Sequence, residues 1–445
     1  MAKALTAGEK TETQRLNRRI SEINDTIRKQ EIADSSSLNS LYVQLDAARV
    51  EYRSFQDALY VTHPNLRIRS GHTASLFNAD PNGLTVDGDT AYLEYVAAKD
   101  AVSLFVLSKN KLNGAPEVKV YHIAIKPEDL NRKVNEFHDA LAEQRLAYTT
   151  AARELYTLLI APAEQQLRNV GTICIIPDSF LWNVPFQALM TPSEHFLIED
   201  HAVYYAPSLS VLREMNRKKG TSETTNSSLI AFGNPVIGRD EQRNADLCPL
   251  PEAEQEVSSI AKSFDEKNSR VLIGRDASEK SFKVLAKTYS IIHLATHGVI
   301  DNRQPLYSHL LLTRTEGDLE NDGRLEARQI MDMNLNADLA VLSACETANG
   351  KVAPGEGVIG MSWALFVAGA RSTVVSQWKI NSASTSELMI KFYRNLNSHD
   401  AVGNGNNVMA LRDACVRMIK EDRYRHPFYW AGFVLIGSGQ RESQR

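Results

Sequence analysis

Ser290-Ile-Ile-His-Leu-Ala-Thr-His-Gly298 and Leu339-Ala-Val-Leu-Ser-Ala-Cys-Glu346 decide the reading of this chain. Each is a short apolar run that ends on a chemically able side chain, and 48 residues separate His297 from Cys345. Apolar runs of this length bounded by small residues predict strands buried on both faces of a parallel sheet. In such a sheet the residues just past the carboxyl ends of the strands share one edge, where ligands bind. A histidine and a cysteine reaching that edge from two strands supply the pair that thiol catalysis needs: an imidazole to take the proton, and a nucleophile.

Working outward, further strands are predicted at Thr172-Ile-Cys-Ile-Ile176, Leu229-Ile-Ala-Phe232, Ser372-Thr-Val-Val-Ser376 and Gly432-Phe-Val-Leu-Ile436. Helical patterns lie between the runs, at 253–264, 278–287, 357–368 and 384–396. Runs alternating with helices predict a three-layer αβα sandwich around a mainly parallel sheet. The strand ends then deliver Pro177-Asp178, Gly233-Asn234-Pro235, Thr296-His297-Gly298, Ser343-Ala344-Cys345-Glu346 and Gln377-Trp378-Lys379 to one edge.

Upstream, strand-like runs at 90–96, 102–107 and 118–125 and helices at about 127–146 and 149–167 predict a small α+β region over 84–168. Turn formers between Pro64 and Gly83 mark a linker. Before it, Leu16, Ile20, Ile23 and Ile27 form one stripe, and Leu38, Leu41, Leu45, Ala48, Tyr52, Phe55 and Leu59 a second, with Asp34-Ser35-Ser36-Ser37 as the turn. An N-terminal helical hairpin over 1–63 and a catalytic domain over 169–445 complete the division. The hairpin's apolar stripes are to be covered by the body of the protein or by a regulatory protein partner.

The chain has 445 residues, 50 Lys+Arg against 54 Asp+Glu, and a net charge of −4. So even a balance gives no basis for direct nucleic-acid binding. Cys174, Cys248, Cys345 and Cys415 stand too far apart for a C-x-x-C metal site, so no metal is expected. Neither an N-terminal apolar h-region nor an unbroken run of 18 apolar residues occurs, which predicts a cytoplasmic protein with no membrane span. Cys174, Cys248 and Cys415 are expected to be buried bystanders, His293 to serve packing or a hydrogen bond, and His426 to be structural. Glu346 and Glu356 are read as helix-end or loop charges. No G-x-S-x-G elbow supports an esterase.

His293-Leu-Ala-Thr-His-Gly298, Pro305-Leu-Tyr-Ser308, Leu342-Ser-Ala-Cys-Glu-Thr347, Gly355-Glu-Gly-Val-Ile-Gly360, Ala368-Gly-Ala-Arg-Ser372 and His426-Pro-Phe-Tyr-Trp-Ala431 resemble, in that order, motifs of CHAT domains. These are caspase-like proteins related to separase. Val184-Pro-Phe186, Pro207-Ser-Leu-Ser210 and Gly233-Asn-Pro235 extend the resemblance over roughly 84 to 437.

The resemblance implies a caspase-like fold and a cysteine endopeptidase, of bacterial type, with His297 and Cys345 as a dyad. Backbone N–H groups of Gly298 and Cys345 would hold the oxyanion, and no cofactor is required. It also implies a specific protein substrate in a partner-regulated defence or cell-death pathway, for example a gasdermin-like or CRISPR-linked target. Pocket candidates are Asp178, Ser343, Glu346, Trp378, Lys379, Asn381 and Ser382. Relatives carry acids where Ser376-Gln-Trp-Lys-Ile-Asn-Ser382 has Asn381 and Ser382, so a neutral residue is expected before the scissile bond. The alternative is a catalytically silent scaffold that binds partner proteins.

Overall fold

A computed structural model describes residues 5–33, 38–62, 88–110, 114–217, 227–238, 247–301, 303–343, 345–346, 356–379, 381–397 and 406–439. The expected turn at 34–37 and linker at 64–83 lie outside the described residues.

The N-terminal stripes form helices α1 (Ala7–Ala33) and α2 (Leu38–Thr62). Helix α1 begins nine residues ahead of its first buried leucine because Thr6 and Glu9 cap it reciprocally. The Thr6 amide donates to Glu9 Oε2 at 2.7 Å and the Glu9 amide to Thr6 Oγ1 at 3.3 Å. Leu16, Ile20 and Ile27 meet Leu45, Ala48 and Tyr52 in one apolar cluster, and Tyr307 from the body of the protein completes it. The hairpin therefore sits on the segment that follows His297-Gly298.

The other strands in chain order are β1 (Thr90–Ala97), β2 (Val102–Lys109), β3 (Pro116–Ile123), β4 (Thr172–Ile176), β5 (Ala202–Tyr205), β6 (Leu229–Pro235), β7 (Ser269–Gly274) and β8 (Ile291–Ala295). They continue with β9 (His297–Val299), β10 (His309–Leu311), β11 (Arg324–Glu326), β12 (Leu339–Leu342), β13 (Cys345–Glu346), β14 (Ser372–Ser376) and β15 (Phe433–Gly437). Among the described residues the main sheet runs β3-β2-β1-β4-β5-β15-β14-β12-β8-β6-β7. Pairings from β14 to β7 and from β15 to β1 are parallel, whereas β14/β15, β1/β2 and β2/β3 are antiparallel. The protein is thus an α/β fold on a large, mainly parallel sheet, as the alternating runs predict. Every residue of β4, β8, β12, β14 and β15 is buried, the expected state of strands covered on both faces.

Covering helices include α3 (Pro127–Ala142), α4 (Tyr148–Leu159), α5 (Pro251–Ala261), α6 (Glu356–Ala368), α7 (Ser382–Asn397) and α8 (Asn407–Ile419). Helix α7 packs on α5 and α8, while α6 packs on the short helix at 327–331, so the helices fall into separate sets. The boundary expected at 168/169 runs through one continuous sheet, with β1–β3 before it and the other strands after it. β1 pairs with β4 in parallel, and residues from Ala91 to Ile436 share one core cluster.

Sequence reading missed β5, β7 and α8, and also a second sheet of four strands in the order β11-β10-β9-β13. Strands of two and three residues carry too little periodicity to be seen. No helix of the described residues is long and apolar enough to cross a membrane.

Candidate active site

The small sheet assembles the site. β9 starts two residues after β8 ends and β13 starts three residues after β12 ends, so each continues a core strand past its carboxyl terminus. β8 and β12 are parallel neighbours, Leu294 opposite Leu342, and the adjacency carries into the small sheet, where Cys345 stands opposite His297 and Glu346 opposite Gly298. Two segments far apart in sequence are thereby held in register by backbone pairing. On its other side β9 pairs with β10, Gly298 opposite Leu310.

His297 is buried, and its Nε2 lies 2.8 Å from the Cys248 carbonyl oxygen. A carbonyl only accepts, so Nε2 carries the proton and Nδ1 the lone pair. Among the described residues Nδ1 is buried with no hydrogen-bond partner. Burial pushes the imidazole below its usual range; the Cys248 carbonyl opposes that push and the Lys379 charge adds to it. The site therefore holds a neutral imidazole with one nitrogen committed and the other available to accept a proton.

The other candidates divide. Lys379 is exposed and close enough to His297 for its charge to be felt. Ser343 is buried, its Oγ without a partner among the described residues. Trp378 is buried: its indole N–H donates to the Phe428 carbonyl at 3.3 Å and its ring stands T-shaped to that of His138, with centroids 5.7 Å apart. The Asn381 carboxamide oxygen accepts from the Ala383 and Ser384 amides at the start of α7, with half-exposed Ser382 between them. Asp178 is not brought together with His297. It follows β4, four strands along the sheet from β12, and its carboxylate accepts from the Ala97 amide at 2.9 Å. Glu346 is placed by its backbone in β13, whereas Glu356 opens α6.

Cys174 and Cys415 are buried as expected, and burial pushes both thiols up, out of nucleophilic range at neutral pH. Cys248 corrects the reading: it is exposed, and its main-chain carbonyl is the group that orients His297. A main-chain acceptor leaves no signal in residue type, so sequence reading could not find it. His293 is fully buried, Nε2 at 2.9 Å from Glu256 Oε1 and Nδ1 at 3.1 Å from the Tyr393 hydroxyl, tying β8 to α5 and α7. The His426 imidazole accepts from the Phe428 amide at 3.1 Å, a capping role. No group of three or more His, Cys, Asp or Glu that could hold a metal occurs among the described residues.

The chain is similar to curated relatives, to solved structures and to one family. Tetratricopeptide repeat protein 28 of Homo sapiens is 26% identical over 331 residues, 64% of this chain and 13% of that protein. The Mus musculus protein of the same name is 24% identical over 334 residues, with the same shares. The chain thus spans about 13% of the length of the curated relatives it matches. Saccharomyces cerevisiae separase, solved with securin, aligns at a TM-score of 0.49 and 8% identity, covering 94% of this chain and 37% of that one. The Arg-specific cysteine proteinase gingipain R aligns at 0.41 and 12% identity, covering 70% and 74%. The family model of the CHAT domain matches residues 149–438, which include both β9 and β13. With the motifs in order and well over half of the chain matched, the protein belongs to the CHAT-domain family.

Proposed function

We propose that the chain is a cysteine endopeptidase in which His297 and Cys345 act as a dyad. The observation that carries the reading is the parallel pairing that sets Cys345 opposite His297 at the carboxyl ends of two core strands. The tautomer fixed by Cys248 supports it, because Nδ1 is left as the base. Nδ1 takes the thiol proton, sulfur attacks the scissile carbonyl, and the proton passes to the departing amine as the C–N bond breaks. Water then cleaves the thioester and restores the thiol. The assignment of the oxyanion to the backbone N–H groups of Gly298 and Cys345 rests on the family resemblance, and Lys379 favours the thiolate.

The substrate is proposed to be a specific protein cleaved after a neutral residue. Two features support that choice: Asn381 is spent on capping α7, and Lys379 brings a positive charge to the site. A partner-controlled setting in defence or cell death rests on the family resemblance alone.

The test is alkylation of the purified protein with a thiol electrophile, mapped by peptide mass because Cys248 is also exposed, followed by mapping of new protein N-termini in a lysate. Selective labelling of Cys345, and N-termini that vanish with Cys345→Ala, support the peptidase. Ordinary thiol reactivity at Cys345 together with an unchanged N-terminal profile makes the protein a partner-binding scaffold.

A further inference from the structure

We propose that Asn234 is a positioning residue of the site, acting through the strap 247–250 to hold His297 with its proton on Nε2. The inference rests on the dyad reading and assigns a purpose to the Gly233-Asn234-Pro235 motif at the end of β6.

The strap is pinned on both sides of Cys248. On one side Leu247 is buried with Ile237 and Leu311, and Val299 of β9 packs against the same cluster. On the other the Leu250 amide donates to Asn234 Oδ1 at 2.8 Å, and Asn234 Nδ2 donates to Glu254 Oε2 at 3.2 Å. Between these anchors the Cys248 carbonyl meets His297 Nε2 at 2.8 Å. A strap fastened one residue before and two residues after an acceptor leaves that acceptor little freedom to swing.

The local backbone is built for this contact. Asn234 has φ +47°, a left-handed conformation that asparagine tolerates better than most side chains. A Cβ on Gly233 would lie 2.7 Å from Val257 Cγ2 and 2.9 Å from the Ala253 carbonyl oxygen, so only glycine lets α5 lie directly on β6. That close approach brings Leu250, which immediately precedes α5, within reach of Asn234. From beneath, the His293–Glu256 pair ties α5 to β8, the strand that leads into His297, and Ser386 of α7 donates to Glu256 Oε2 at 3.2 Å. The imidazole and the carbonyl that orients it are thus fixed to one frame.

The test compares wild type, Asn234→Gly and the double variant Asn234→Asp with Glu254→Gln. Asn234→Gly keeps the left-handed backbone and removes only the side chain. The double variant restores an acceptor for the Leu250 amide without setting two carboxylates face to face. Nitrogen-15 NMR of labelled histidine, with His297→Ala for assignment, reads the tautomer directly, and peptide-mapped alkylation reads Cys345 across pH. Wild type is expected to show His297 protonated on Nε2 at neutral pH. Asn234→Gly is expected to show mixed tautomers, with Cys345 alkylation slowed about tenfold or more, up to the roughly hundredfold that an ångström of misplacement can cost. The double variant is expected to recover both readouts.

If Asn234→Gly folds and keeps the wild-type tautomer, the proposal is wrong. If it fails to fold, the double variant decides, and a folded double variant with mixed tautomers is equally fatal. Failure of the dyad reading looks different: His297→Ala would leave the alkylation profile of Cys345 unchanged while the tautomer of His297 still answered to Asn234.

Discussion

His297 and Cys345 lie past the apolar runs of β8 and β12, so truncating either leaves those core strands intact. His297→Ala and Cys345→Ala are expected to lower cleavage by at least about a thousandfold, since members of a catalytic unit fail together. Melting temperatures should stay near wild type; a large drop in either would assign that residue to stability. The imidazole also sets the pH response. Its pKa lies below the usual value of about 6.5, and it works deprotonated, so kcat/KM should hold as pH falls past 6.5 and decline only at lower pH. An acid limb centred above 6.5 would contradict a neutral, buried base. The placement of both residues side by side was legible from sequence because each follows an apolar run at the carboxyl edge of a parallel sheet. Cys248 and Asn234 were not legible in these roles. One contributes only its carbonyl, and the other acts across sixteen residues through a main-chain amide, and neither interaction follows from residue type.

Among the elements, the hairpin was readable from its apolar stripes, and what it packs on was not. Docking rests on single residues far away in sequence. Arg328, buried, pairs with Glu326, reaches Asn17 of α1, and has its guanidinium carbon 5.4 Å from the Tyr52 ring centre and 5.5 Å from that of Tyr307. Arg49 of α2 lies over the Tyr307 ring at 4.2 Å and 3.7 Å from Asp301. Arg328→Ala strands the buried Glu326 carboxylate and is expected to cost about 3–5 kcal/mol, measured by denaturant unfolding. A loss below 1 kcal/mol would mean that the pair contributes little to the seat of the hairpin.

The same junction should respond to acid. Burial, together with the nearby charge of Arg324, pushes His309 down to about 4; Arg49 adds to the push, and the Tyr307 carbonyl and Asp322 oppose it. The unfolded imidazole binds its proton near 6.5, so the native state binds fewer protons between the two values, and stability falls as pH drops from about 6.5 to about 4. His309→Gln should flatten that slope in melting curves recorded across pH. An unchanged slope would assign the sensitivity to other groups.

Across the whole molecule the large sheet was legible because parallel strands buried on both faces read as apolar runs. Strand order was not, since order depends on crossovers that periodicity does not record. The most consequential item of that order is β15, the last described strand in the chain, which lies between β5 and β14 in the interior of the sheet. Without it, β3-β2-β1-β4-β5 and β14-β12-β8-β6-β7 share no hydrogen-bond ladder. A ribosome that has translated past residue 346 has already made both members of the proposed dyad, yet the sheet beneath them is still open. Closure waits for Phe433–Gly437 to emerge, so while residues 346–437 are made the thiol is present and the sheet that would support the proposed dyad is incomplete. Nascent chains arrested before Phe433 should lack the fully closed fold, whereas chains extended past Gly437 can complete it.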